Sequence, residues 1–254
     1  MSGSPISASE AMAGTIDLLW QASLVRQVDD RRSTLQALPP IHGTDIQTSV
    51  VRSVALHLLA LVHLDNGVLQ AADITAGEAI TAWTAVEQAI AAAEPELAAR
   101  AHAFHARLAH RSGTAYGALA RKQLLEYAGA ARLKTEALRA AVASTAGDRS
   151  VASEALARTS SAWRGALPLR LPGLRQIELA AARWSREAGR TDLARVMNAQ
   201  AGMLTGVHAA YPEDAPERWP ANPRQDQALR FAFAATPLPE AIQAAARQEE
   251  QGVT

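Results

Sequence analysis

The stretch "LRQIELAAARWSREAG", residues 174–189, followed by "RTDLARVMNAQAGML", residues 190–204, decides the fold. At about 100° per residue, with Arg175 set at 0°, Arg186 falls near 20°, Arg190 near 60° and Arg183 near 80°. Leu174, Ile177 and Trp184 lie on the far side, between about 180° and 260°. Gly189 then interrupts the pattern where a helix would be capped, and a second helical stretch follows. The segment reads as a helical hairpin.

Working outward, the same grammar recurs. Ser7-x-x-Glu10, Thr44-x-x-Gln47 and Thr75-x-x-Glu78 are N-terminal capping signatures, each placed before apolar-periodic residues. They predict helices over 8–37, from about 45 to Gly67, and over 76–92. Pro95 suits the first turn of a helix through the histidine-rich stretch "AHAFHARLAH", residues 101–110. Further helices are expected over 115–145, 150–164, the hairpin around Gly189, 225–235 and 239–251. Pro168 and Pro172 break the chain before the hairpin. No segment alternates with the period of a strand. The expected fold is all-α, an Ala-rich multi-helix bundle or helical-hairpin array of about eight helices. Residues 1–210 form the expected bundle, and 211–254 a Pro-rich arm, opening with "YPEDAPERWPANP", followed by C-terminal helices. No repeat of fixed period is visible.

Composition limits what such a chain does. Alanine fills 58 of the 254 positions, so the larger apolar residues amount to about a quarter, roughly the floor for a folded domain. Helices must therefore approach closely and share a thin core, and a homo-oligomer is one way to bury more. There is no cysteine, which excludes disulfides, thiolate nucleophiles and Cys-ligated clusters. The N-terminal residues lack the basic patch and apolar core of a signal peptide. The longest apolar run, "VALHLLALVHL" over Val54–Leu64, reads as a buried helix rather than a membrane span. The expectation is a cytoplasmic protein with no membrane partner.

The formal net charge is zero, but it is unevenly placed. Residues 1–99 carry 4 basic and 11 acidic side chains, residues 100–195 carry 17 and 7, and residues 196–254 carry 4 and 7. In the central segment 100–195, Arg121, Arg132 and Arg139 share one helix face, and Arg175, Arg183, Arg186 and Arg190 share another. Arg donates in pairs, as phosphate and carboxylate both require. These seven are the candidate contacts for a nucleic acid or another polyanion. In the rival reading the acidic N-terminal third docks on the basic middle, within a chain or between subunits of an assembly, or an acidic protein takes that place. A plainer reading leaves these faces solvated or internally neutralised, as the i,i+4 pairs Arg132–Glu136, Glu154–Arg158 and Arg183–Glu187 suggest. Trp219, in the proline-rich arm where no helix face explains it, is the candidate partner-docking aromatic.

Signatures of catalysis are missing. There is no phosphate-binding glycine loop, no nucleophile elbow and no H-E-x-x-H. His102 and His105 project about 60° apart and form a two-His metal candidate, whereas His110 points away from them. No histidine has the carboxylate three residues earlier that a di-iron bundle needs. His57 and His63 read as core or interface imidazoles bonded to backbone or hydroxyl. Lys122 and Lys134, the two lysines, read as exposed, and Asp29–Asp30 and Glu249–Glu250 as surface charge. No cofactor is expected, and the functional reading is a non-enzymatic binding protein.

Overall fold

The computed structural model of the chain describes residues 8–24, 28–38, 46–92, 114–169, 171–209 and 235–252. Among the described residues every regular element is helical. They are α1 (Ala8–Leu24), α2 (Val28–Gln36), α3 (Ile46–Asp65), α4 (Leu69–Ala92), α5 (Thr114–Thr145), α6 (Arg149–Ala166), α7 (Leu174–Glu187), α8 (Thr191–Ala209) and α9 (Glu240–Gly252). The fold is all-α.

Three hairpins, α3–α4, α5–α6 and α7–α8, are closed by the same turn. Gly67, Gly147 and Gly189 have φ of 72°, 97° and 75°. In each turn the glycine N–H donates to the carbonyl three residues back, at 2.9, 3.1 and 3.0 Å. The next residue reaches five back, Val68 to His63 at 2.9 Å, Asp148 to Ala143 at 3.0 Å and Arg190 to Ser185 at 2.7 Å. This paired pattern satisfies the orphan carbonyls of the first helix and requires a left-handed residue at its centre. A Cβ at Gly189 would meet nothing within 4 Å, so only backbone strain opposes one. Gly189→Ala is expected to lower stability by about 1–2 kcal/mol, read as a shifted urea midpoint at unchanged slope. An unchanged midpoint would show that the turn does not need glycine.

The hairpins share a register as well as a turn. At one fixed offset from each glycine lies a buried alanine, namely Ala72, Ala152 and Ala194. At a longer offset from the first two lies a fully buried tryptophan, Trp83 and Trp163. The small residue lets the helices meet near the turn, and the ring fills the space where they diverge. In the third hairpin Leu204 is buried one residue short of that place. Asp148 also caps α6 by accepting from Val151 N–H at 3.0 Å.

The hairpins stack in series, each helix from α3 to α8 packing on the next described helix in the chain, with α1 and α2 against α3. Nearest-neighbour stacking of this kind gives an array rather than a closed bundle. The final helix does not extend the series. It returns to pack on α7.

Several expectations are corrected. The helix expected over 8–37 is two helices, because Arg31 of α2 donates to Ala22 O in the last turn of α1 at 3.1 Å and pairs with Asp65 of α3 at 2.9 Å. Nine residues of straight helix would hold those first two groups about 13 Å apart. Thr75 does not cap a helix: α4 begins at Leu69, directly after the Gly67 turn, and Thr75 is buried inside it. By length and composition Thr48–Asp65 of α3 could cross a membrane, and 61% of that window is buried inside the protein. The expected helices over 101–110 and 225–235 and the arm over 211–223 lie outside the described residues, apart from Ala235.

Candidate binding face

Arg132 and Arg139 lie on α5 and Arg175, Arg183 and Arg186 on α7, as the sequence places them, whereas Arg190 sits past the Gly189 turn and leaves the α7 stripe; the partners of all six are visible. Arg132 meets Glu87 of α4 at 3.0 Å and also pairs with Glu136. Arg139 holds both oxygens of Asp73, at 2.8 and 3.1 Å. Arg183 pairs with Glu187 at 2.7 Å, and Arg190 with Glu154. Arg175 pairs with Glu250, and Arg186 with Glu249. Arg132 and Arg139 thus join the basic middle to the acidic N-terminal third, and Arg175 and Arg186 join it to the acidic C-terminal end, within one chain. The neighbouring carboxylates hold Arg132 and Arg139 above the usual guanidinium range despite the opposing effect of burial. Arg121 lies in α5, but its side chain is outside the described residues, as are Trp219, His102 and His105.

One ion pair is buried. Glu178 of α7 has no exposed surface, and its carboxylate receives Arg164 of α6 through two bonds of 2.6 and 3.0 Å. Ser160 donates to it at 2.7 Å, and Arg164 also donates to Gln200 O of α8 at 2.8 Å. Four groups from three helices therefore share one satisfied network. At the other end of α6, Arg149 lies 5.4 Å from the centroid of the Trp184 ring and pairs with Glu187 at 3.2 Å.

Residues 235–252 run across the first helices of the hairpins. At its start, the Pro237 carbonyl lies 3.0 Å from His57 Nε2 of α3. Leu238 then reaches the place where Gly173, Trp163 and Lys134 of α5 converge. Finally α9 lies on α7, burying Ile242, Ala245, Ala246 and Glu249. These occur at i, i+3, i+4 and i+7, one face of a helix. Ala246 packs with Leu179 and Ala201. Glu249, 2% exposed, is held by Arg186 of α7 and by Asn198 Nδ2 of α8 at 2.6 Å. It is a buried anchor, not the surface charge that its sequence context suggests. The reason is that two donors from the hairpin converge on it.

Beneath this segment sits a buried polar cluster. A carbonyl only accepts, so His57 Nε2 carries the proton donated to Pro237, and Nδ1 accepts from the Thr135 hydroxyl at 3.0 Å. Ala131 O lies 2.9 Å from the same hydroxyl and competes with Nδ1 for its single hydrogen. The sequence reading of His57 as a core imidazole bonded to backbone and hydroxyl holds. Burial, helped by the charges of Lys134 and Arg31, pushes His57 down to about 3. Lys134 is 7% exposed, a correction to its expected exposure, because Gly173 lets the loop between α6 and α7 close over its stem. Burial pushes it down to about 7.

Two surface grooves lie among the described residues. One of about 370 Å³ lies among Asp73, Ile80, Arg139, Val151 and Arg158. Another of about 490 Å³, between α2 and α3, has an apolar floor of Leu35, Leu38, Leu56 and Leu59. Among the described residues no three His, Asp or Glu side chains gather to hold a metal ion. No protein-family model, curated protein or solved structure matches the chain. The fold and site thus define a class by geometry alone, an array of helical hairpins crossed by its own C-terminal helix.

Proposed function

We propose that the chain is a non-catalytic helical scaffold that works by binding another protein. The observation that carries this is the pairing of every described stripe arginine with a carboxylate of the same chain, while a helix is seated across the hairpins. A phosphate backbone would have to displace those carboxylates one by one. A protein helix needs only the stripe and anchors that α9 uses. The absence of signature motifs for nucleotides, metals or nucleophiles in the sequence agrees with a binding role.

The two readings separate by salt. Fluorescence anisotropy of a labelled mixed-sequence DNA duplex, titrated with the full chain, should show no binding at 50 mM salt. Binding whose affinity falls steeply between 50 and 200 mM would overturn the scaffold reading in favour of a polyanion surface. In the positive direction, the immobilised full chain should enrich amphipathic helical sequences from a displayed random-peptide library. No enrichment counts against the proposal.

A further inference from the structure

We infer that the face beneath residues 235–252 is a helix-binding site, occupied in this structure by the chain's own C-terminal helix. Its outside partner is a protein helix whose small apolar stripe ends in paired carboxylates. This rests on the scaffold reading above and names its site.

The seat itself describes what it recognises. Its apolar part accepts small side chains, since Ala246 lies against Leu179 and Ala201 and Ile242 is the one large residue that α9 buries. Its polar end is cationic: Arg186 and Asn198 converge on Glu249, and Arg175 takes Glu250. The far end offers His57 Nε2–H to a backbone carbonyl. A ligand that satisfies all three carries an extended, carbonyl-presenting lead, then a helix with one large apolar residue at i and small residues at i+3 and i+4, then adjacent carboxylates.

The resident helix is an incomplete match. Nε of Arg175 and Oδ1 of Asn198 are buried and, among the described residues, have no hydrogen-bond partner. Both groups belong to the very residues that grip the two glutamates. A buried donor and acceptor left unmade weaken the hold of whatever covers them, so a ligand that reaches them competes with advantage. The resident helix compensates by being tethered, since a chain-linked segment acts at an effective concentration in the millimolar range. A second copy of this chain would bring the same incomplete match without that tether. At micromolar protein it loses to the resident helix by about a thousandfold. The occupant that can win is therefore a different protein.

The test uses the full chain and a fluorescein-labelled peptide of residues 235–252. Ile242→Asp places a charge in the apolar seat and should release the resident helix, and Glu249→Arg should release it by repulsion from Arg186. Either variant is expected to bind the peptide in trans at least about 10-fold more tightly than the wild-type chain does. A peptide with Glu249 and Glu250 changed to glutamine should bind the released chain at least about 10-fold more weakly. Circular dichroism confirms that each variant keeps its helices. Folded variants that bind the peptide no better than wild type overturn the inference. Enrichment in the display selection without binding in trans removes this seat and leaves the scaffold reading standing. Failure of both removes the scaffold reading too.

Discussion

Arg164→Met is expected to destabilise the folded chain by about 3–5 kcal/mol. The side chain carries three bonds, two to the Glu178 carboxylate and one to Gln200 O. Methionine fills much of the same volume, so the loss is electrical rather than steric. Glu178, with no exposed surface, would keep only the Ser160 hydroxyl as a partner, and an uncompensated charge in that position is what makes the single change severe. The double change Arg164→Met with Glu178→Leu removes the stranded charge and should recover more than half of the loss. It falls short of full recovery because the buried Ser160 hydroxyl loses its carboxylate acceptor and Gln200 O loses the extra bond from Arg164. Urea unfolding at constant slope reads all three chains. A single variant within about 1 kcal/mol of wild type would show that the pair is not what joins α6, α7 and α8.

The contrast between this pair and the others shows what sequence can reveal. Arg132–Glu136 and Arg183–Glu187 are legible, because i,i+4 spacing alone puts them together. Arg164–Glu178 is not, because its two ends meet only after the break at Pro168 and Pro172 has turned α7 back along α6. The same limit hid Glu249. Its neighbours in sequence make it look like the exposed end of a polar helix, whereas its burial is decided by Arg186 of α7 and Asn198 of α8.

Turn chemistry was the most legible level. Gly189 and Gly147 mark helix ends by being the residues that tolerate positive φ, and both turns fall where the sequence places them. The common register of the three hairpins was hidden for two reasons. The turn glycines are unevenly spaced along the chain, so no fixed period exists. The alanine that repeats after each turn is one among 58, which erases its signal. The break between α1 and α2 was invisible because it follows from Arg31 reaching both Ala22 O and Asp65, a tertiary contact. Lys134 looks exposed in sequence for the same reason, since Gly173 and Leu238, which lie over it, are distant in sequence.

Stability is expected to rise with pH in two separate limbs, and the buried cluster under Pro237 sets both. The first limb belongs to His57. Its folded value is about 3, against the ordinary 6.5, because burial excludes the charged form and Lys134 and Arg31 oppose it further. The unfolded chain therefore binds a proton below pH 6.5 that the folded chain refuses until about pH 3. More protons bound on unfolding means that stability falls as pH falls. Across that window the loss is on the order of 5 kcal/mol at 1.36 kcal/mol per unit. Asp65 works against this limb: burial raises its carboxyl despite Arg31, so it favours folding as it gains its proton near the acid end. The second limb belongs to Lys134, lowered by burial from 10.5 to about 7. Between these values the unfolded lysine is charged and the folded one is not, so stability climbs again as pH rises towards 10.5. His57→Gln keeps a donor for Pro237 and an acceptor for Thr135 but cannot titrate, so it should flatten the lower limb alone. Lys134→Met should flatten the upper limb and, by removing a charge that opposes His57 protonation, slightly shrink the lower one. Urea midpoints measured from pH 4 to pH 10 test both, and imidazole nitrogen shifts should keep His57 neutral at pH 5. A His57 that titrates near 6.5, or an upper limb that survives Lys134→Met, would mean that water reaches the cluster and that the segment over it is not closed.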